Sequence, residues 1–281
     1  MGVSFLSPLA ALVALAGLVP LAALEVVRRR AQRARAQLGL PEPSRARQLA
    51  VPVALAAVAA LLALAAAQPV LRDRHTHRVR TDAEAWVLLD TSRSMLARRS
   101  PTGPTRLQRA KAFAHGLRVG LPNVRVGIGS LTDRVLPHLF PSPDLDVFDA
   151  TLRAAIGIER PPPSQFLRTR VSTLIPLTDM RAANFFAPSD RKRLVVVLTD
   201  GESQPFSPQK VGSQLAAAPK IDTIFVQIWN PGERVYSGGK PEEAYRPDPT
   251  SGTTIRGLAA AAGGAAFGES KLPDVVARAR T

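Results

Sequence analysis

Two long apolar stretches dominate the first quarter of the chain. Residues 1–24 contain no ionisable side chain, and neither do residues 48–71. A helix of about 20 apolar residues crosses the roughly 30 Å hydrocarbon core of a bilayer, whereas buried runs of this length are rare in soluble domains. We therefore predict transmembrane helices over residues 1–27 and 49–71 rather than core helices of a soluble protein. A cleaved signal peptide is the alternative for the first stretch, although no basic residue precedes it.

The pattern changes at residue 83, after a predicted linker over residues 72–82. Short, fully apolar runs then alternate with amphipathic stretches, and the runs read "AEAWVLLD", "NVRVGIGSL", "RLVVVLTD" and "IDTIFVQIW". Strands that are apolar on both faces and alternate with helices are typical of a parallel sheet covered on both sides. We predict an α/β, Rossmann-like domain over residues 83–281, with a mostly parallel sheet flanked by helices.

Three further segments of this domain have weaker patterns. The stretch "RVLPHLF" is predicted to return antiparallel beside the strand that precedes it, and "GAAFG" is predicted to form a short last strand. The stretch "STLIPLTDMRAANFF" has a Ser/Thr cap and is predicted to be a helix, weakened by Pro176.

Positive charge is unevenly distributed along the chain. Lysine and arginine total 37 against 22 acidic residues, a formal net charge of +15. The segment "RRRAQRARAQLGLPEPSRAR", residues 28–47, holds a dense group of the arginines. Basic loops between membrane helices stay in the cytoplasm, so we predict a cytoplasmic loop over residues 28–48 and a C-terminal domain outside the cytoplasm. The arginines are expected to lie on the headgroups of anionic membrane lipids.

The composition also excludes several kinds of partner and site. Aromatic residues make up 5% of the chain, and none is interleaved with the arginine run, so nucleic acid is not an expected partner. Cysteine is absent, which excludes disulfides, thiolate zinc sites and cysteine nucleophiles.

Two of the predicted strands end in an aspartate. These residues are Asp90 and Asp200, and Ser92 and Ser94 follow Asp90 at alternate positions. Ligands of such sheets bind at the carboxyl ends of the strands, and alternate residues of an extended loop face one way. Oxygen donors without histidine or cysteine suit a hard cation such as magnesium, manganese or calcium. The competing interpretation is that these side chains only cap the helix that follows.

The same two segments carry a family resemblance. "DTSRSM" resembles the D-x-S-x-S motif of von Willebrand factor A (vWA) domains, and "VVVLTDGE" resembles a later element of that family. The resemblance implies a metal-ion-dependent adhesion site, in which serines of one loop and a threonine of a second loop contact the cation. It assigns the metal site to Asp90, Ser92, Ser94, Thr173 and Asp200. Ser172 and Thr178 are the alternatives to Thr173.

A longer segment carries a closer resemblance. The stretch "DTSRSMLARRSPTGPTRLQRAKAF" is similar to membrane-anchored bacterial vWA proteins of the aerotolerance type. That resemblance implies residence in the plasma membrane of a bacterium and an accessory role beside a MoxR-type AAA+ ATPase.

The expected function follows from the charges of the predicted ligands. Hydroxyl groups are neutral, so a divalent cation held by Ser92, Ser94 and Thr173 keeps much of its charge, while the two aspartates act largely through bound waters. An Asp or Glu side chain of a protein partner can then fill an open coordination position. We expect a cation-dependent protein-binding domain rather than an enzyme, with magnesium as the first candidate. The alternatives are a subunit of an AAA+ assembly and a hydrolase that uses a metal-bound water, with Glu202 as its base.

Overall fold

The protein forms two compact units, residues 1–76 and residues 77–281. Within them, the computed structural model describes residues 2–39, 45–72, 79–163, 173–183 and 185–281. The elements of the first unit are β1 Gly2–Phe5, a 3-10 helix Pro8–Gly17, α1 Leu18–Gln37, α2 Arg45–Ala67 and β2 Pro69–Arg72. Strands β1 and β2 pair antiparallel.

The helices of the first unit have the length and composition of membrane spans. They run over Pro8–Arg35 and Ala50–Ala67, and their residues are almost entirely exposed. A core helix of a soluble domain would bury its apolar face, so this exposure favours membrane spans. Helix α1 continues to Gln37, beyond the predicted loop boundary at residue 28, because arginine, alanine and glutamine are good helix formers.

The second unit is built on one six-stranded sheet and flanking helices. The strands are β3 Ala83–Asp90, β4 Arg125–Leu131, β5 Val135–Ser142, β6 Lys192–Thr199, β7 Asp222–Gln227, β8 Tyr236–Ser237, β9 Lys240–Pro241 and β10 Ala265–Gly268. The helices are α3 Arg106–Gly120, α4 Leu145–Ala154, α5 Asp179–Ala182, α6 Pro208–Ala216, α7 Ser251–Ala261 and α8 Leu272–Arg280. The sheet order is β10-β7-β6-β3-β4-β5, and every pairing is parallel except that of β5 with β4. The predicted mostly parallel sheet, its antiparallel edge and the short last strand are confirmed.

The sheet is covered on both faces by apolar side chains. Along β3, Val87 and Leu89 pack into one cluster with side chains of α3, α4 and α8, and Trp86 and Leu88 pack into the other with side chains of α6 and α7. All eight residues of β3 are buried. This central strand therefore carries Asp90 to its carboxyl end on a rigid support.

The segment predicted to be a helix around Pro176 forms shorter elements in its described part. A 3-10 helix covers Ile175–Thr178, and α5 adds only one turn after it. The chain then turns inward, and Phe185 is buried, with its carbonyl accepting a hydrogen bond from the Trp86 indole N–H at 3.0 Å. Core packing of the aromatic side chain is favoured here over further helical turns.

Helix α3 begins with a reciprocal cap that permits a stability test. The Thr105 hydroxyl accepts the Gln108 N–H at 3.1 Å, and the Gln108 side chain accepts the Thr105 N–H at 2.8 Å. Thr105→Ala is expected to lower the free energy of unfolding by about 1 kcal/mol, because an end-of-helix N–H loses its acceptor. Thermal unfolding of Thr105→Ala measures this effect, with Thr105→Ser, which keeps the hydroxyl, as the control. An equal loss of unfolding free energy in the two variants would contradict the prediction.

Candidate metal site

The first loop of the predicted site follows β3 directly. Asp90 Oδ1 accepts the backbone N–H of Ser92 at 2.9 Å, and the hydroxyl oxygens of Ser92 and Ser94 lie 2.9 Å apart. Ser92 stands at the N-cap position of a 3-10 helix over Arg93–Leu96 without a side-chain cap hydrogen bond, and Met95 of this helix is fully buried. The buried methionine fixes the loop, so the two predicted hydroxyl ligands face the same point.

The loop after β6 lies beside the first one because β3 and β6 are neighbours in the sheet. Leu89 pairs with Leu198, and the Thr199 hydroxyl donates to Asp90 Oδ2 at 2.6 Å. Gly201 turns the chain away with φ +78, and a Cβ there would lie 2.6 Å from a methyl carbon of Ile255. Glycine is therefore required at this turn, which holds the preceding Asp200 fully buried at the end of the strand.

The loop that contains Thr173 forms hydrogen bonds with the loop between β4 and β5 and with the loop after β6. The Thr173 N–H donates to the carbonyl of Thr132 at 3.0 Å, and the Leu174 N–H donates to the Ser203 hydroxyl at 3.2 Å. The Thr173 hydroxyl accepts the Ile175 N–H at 3.2 Å and keeps a proton and a lone pair for another contact. Its role as a cation ligand stays a prediction.

Of the two alternatives to Thr173, the structure describes only Thr178. Ser172 lies outside the described residues. Thr178 is used within its own turn, where its hydroxyl donates to the Ile175 carbonyl at 3.0 Å.

The buried carboxylates repel one another. Burial, and then the negative charge of Asp200, raise the pKa of Asp90 to about 7, against the lowering effect of hydrogen bonds from Ser92 and Thr199. Burial and Asp200 also raise the pKa of Glu202, although Arg106 and Tyr245 oppose this. A positive charge beside these groups would relieve the repulsion.

Arg106, which the sequence reasoning missed, supplies one such charge. Its side chain is fully buried and donates to Asp200 at 2.8 Å, to Glu202 at 2.9 Å and to Glu233 at 2.7 Å. Burial by itself lowers the pKa of Arg106, but the carboxylates of Asp200 and Glu202 outweigh it and raise the pKa overall. Its spacing in the sequence could have revealed its burial. Arg106 lies on the same helical face as the apolar residues Ala110 and Leu117, where a solvated charge is not expected.

The charges of this cluster do not balance. Four buried or nearly buried carboxylates lie in it, those of Asp90, Asp200, Glu202 and Glu233. They face two guanidinium groups, those of Arg106 and Arg109, and Arg109 is shared between Glu233 at 2.6 Å and Glu269 at 2.8 Å. The carboxylates therefore outnumber the cations of this cluster, and a bound cation would lower the repulsion among them.

The donor chemistry also fits a hard cation. Within the described residues no group of three histidine, cysteine or acidic side chains is placed as a set of metal ligands. The candidate site depends instead on hydroxyl oxygens with carboxylates behind them, a set that suits magnesium or manganese better than zinc.

A cleft of about 370 Å³ gives access to the two serines. Its other side chains come in part from residues 228–250, here called the β7–α7 loop, which contains β8 and β9. Glu242 of this loop pairs with Arg93 at 2.6 Å, and Tyr245 accepts a hydrogen bond from Arg106 at 2.9 Å. The loop therefore contacts both the rim and the buried base of the candidate site.

The raised pKa of Asp90 predicts how stability depends on pH. Between its ordinary value of 3.8 and about 7, the folded protein holds a proton that the unfolded chain lacks. This group therefore lowers the free energy of unfolding as pH rises through that window, by at most about 1.4 kcal/mol per pH unit, and has no further effect above it. Thermal unfolding of wild type and of Asp90→Asn, measured over this pH range, gives the free energy of unfolding of each as a function of pH. Parallel curves for the two proteins would contradict the raised pKa of Asp90.

Comparisons with solved structures show the fold of this chain. BatB from Bacteroides thetaiotaomicron, described as a conserved hypothetical protein, matches with a TM-score of 0.57 and 18% identity over 70% of this chain and 96% of that one. An aerotolerance-related membrane protein from Bacteroides fragilis matches with a TM-score of 0.55 and 20% identity over 70% and 98% of the two chains.

A weaker match is proximal thread matrix protein 1 from the mussel byssus, with a zinc-occupied MIDAS motif. Its TM-score is 0.44 and its identity 16%, over 71% of this chain and 47% of that one. No protein-family model and no curated protein matches the chain. The two closer similarities confirm, at the level of the fold, the predicted resemblance: the second unit has the fold of the aerotolerance-type vWA proteins.

Proposed function

We propose that this chain is a membrane-anchored protein that binds a divalent cation and uses it to hold a protein partner. The cation, with magnesium as the first candidate, is bound at Ser92 and Ser94, with Thr173 as the third hydroxyl. Asp90 and Asp200 hold its waters from behind. An Asp or Glu side chain of the partner fills the open coordination position.

The observation that carries this proposal is the convergence of three loops around buried, mutually repelling carboxylates. The bond from Thr199 to Asp90 at 2.6 Å joins the first and third loops, and the bond from Leu174 to Ser203 at 3.2 Å joins the second and third. An arrangement that merely capped helices would not bury Asp90 and Asp200 in a cluster whose carboxylates outnumber its guanidinium groups.

The membrane anchorage rests on the two apolar helices and the arginines between them. In this proposal the helices cross the plasma membrane of a bacterium and the arginines lie on anionic lipids. The second unit lies outside the cytoplasm. Association with a MoxR-type AAA+ ATPase rests on the sequence resemblance alone.

A role without catalysis is favoured by the contacts of Glu202, the one base considered for hydrolysis. Its Oε1 accepts hydrogen bonds from Arg106 at 2.9 Å, from the Trp229 indole at 2.9 Å, from Tyr245 at 3.0 Å and from the Asp248 N–H at 3.3 Å. The Tyr245 hydroxyl also lies 2.8 Å from Oε2, so protein donors occupy the positions at which a nucleophilic water would have to donate its proton. Turnover of ester or phosphate substrates that Asp200→Asn abolishes would contradict this part of the proposal.

Affinity capture from bacterial membranes tests the proposed function. The full chain is expected to retain protein partners in magnesium and to release them when a chelator is added, because the cation forms part of the interface. The variant Ser92→Ala/Ser94→Ala should retain none of these partners, whereas Ser213→Ala/Ser237→Ala, which changes two exposed serines, should retain them all. Partners that stay bound in chelator would contradict the proposal.

A further inference from the structure

A second cavity of the folded domain lies at the opposite end of the sheet from the candidate metal site. Its volume is about 530 Å³, and it is here called the basic pocket. The first residues of three parallel strands line it, Ala83 of β3, Lys192 of β6 and Asp222 of β7, together with the last residues of α3 and α8. The candidate metal site lies at the carboxyl ends of these strands.

The basic pocket carries an excess of positive charge. Six of its lining residues are cations, and they are Arg80, Lys192, Arg193, Lys220, Arg278 and Arg280. Of these, Arg80 already pairs with Asp82 at 3.1 Å, and Lys192 donates to the main-chain oxygen of Thr281 at 2.7 Å. The acids that line it are Glu84 and Asp222, which already pair with Arg125 and Lys220 at 3.0 Å each. Arg193 and Arg280 donate to the carbonyls of Asp190 and Gly120, which are neutral acceptors. The charge of these arginines is thus available to an anion.

The remainder of the lining is apolar. Val124, Leu194 and Ala279 are half-buried, and their apolar side chains line the cavity. A free phosphate ion would use the charged side chains and leave this apolar surface wet. A phospholipid headgroup with its glycerol and first methylene groups would use both.

In the sequence, residues 68–82 separate the second apolar helix from Ala83, which lines the basic pocket. We propose that the basic pocket binds an anionic phospholipid headgroup of the membrane that carries the two apolar helices. This inference rests on the proposed membrane anchorage.

Hydrogen exchange of the full chain in lipid nanodiscs tests the proposal. The backbone amides of residues 120, 121, 123, 124 and 278–281 are expected to exchange more slowly in discs that contain phosphatidylglycerol than in discs of phosphatidylcholine alone. Each cation near an anionic surface contributes about a fivefold gain in affinity, so Arg278→Gln/Arg280→Gln should weaken headgroup binding roughly 25-fold and remove the slowing. A second variant, Lys192→Gln/Arg193→Gln, should have the same effect. Because these two residues lie on β6, that result would exclude local unfolding of α8 as the cause.

The matched control is Arg153→Gln, an exposed arginine at the end of α4 that does not line the pocket, and it should keep the slowing. Equal exchange in the two lipids would overturn the proposal. Slowing that inorganic phosphate reproduces in phosphatidylcholine discs would overturn it as well, because the ligand would then be a free anion. Failure of the chain to co-elute with the discs would contradict the membrane anchorage itself and would remove the basis of the inference.

Discussion

Arg106→Met is expected to lower the free energy of unfolding of the C-terminal domain by about 3–5 kcal/mol, because it leaves buried carboxylates without their partner. Arg106 is fully buried and pairs with Asp200, Glu202 and Glu233, all within 2.9 Å. Methionine keeps most of the side-chain volume, so the loss reports charge rather than a cavity. For a domain of this size the melting temperature should fall by roughly 6–20 °C.

Magnesium should partly reverse this loss. A divalent cation beside Asp200 replaces some of the positive charge that Arg106→Met removes, so added magnesium should raise the melting temperature of the variant more than that of wild type. Arg153→Met, at an exposed position, is the control and should melt within a few degrees of wild type. Equal melting temperatures for wild type and Arg106→Met would show that the buried ion cluster does not stabilise the domain.

The second large effect is expected in cation affinity. Ser92→Ala/Ser94→Ala removes two hydroxyls whose oxygens lie 2.9 Å apart in the site, and magnesium affinity should fall at least about 100-fold. Partners that only orient metal ligands already contribute 10–100-fold, and direct ligands contribute at least as much. Isothermal titration of the full chain with magnesium chloride measures the change.

A stability measurement provides the matched control for this titration. Magnesium at about 100 times its dissociation constant should stabilise wild type by about 2.7 kcal/mol and the double variant hardly at all. Ser213→Ala/Ser237→Ala should behave as wild type, because both serines are exposed and lie on α6 and β8. Undiminished magnesium affinity in Ser92→Ala/Ser94→Ala would place the cation elsewhere.

The sequence predicted the sheet and the position of the first and third loops well. The two apolar strands that lead to Asp90 and Asp200 were expected to place these residues at the carboxyl end of a parallel sheet. These strands, β3 and β6, are neighbours in the sheet, so their carboxyl ends lie side by side. The threonine was harder to assign, because residues 173–178 form short turns with several hydroxyls and no helical period that would single out one of them.

The ion cluster behind the site could not be predicted in full. The position of Arg106 on the apolar face of α3 was a usable signal, but its partner Glu233 lies in the β7–α7 loop, which has no apolar periodicity. Such a loop is placed by long-range ion pairs rather than by local pattern. Gly238 and Gly239, both with positive φ, were the one local sign of the turn between β8 and β9.

Crystals of the C-terminal domain grown in manganese would locate the bound ion through its anomalous signal. We expect one strong peak about 2.1 Å from the hydroxyl oxygens of Ser92 and Ser94, with Asp90 and Asp200 reached through ordered waters. A peak bound elsewhere, or serine hydroxyls still paired to each other with no ion beside them at saturating manganese, would contradict it.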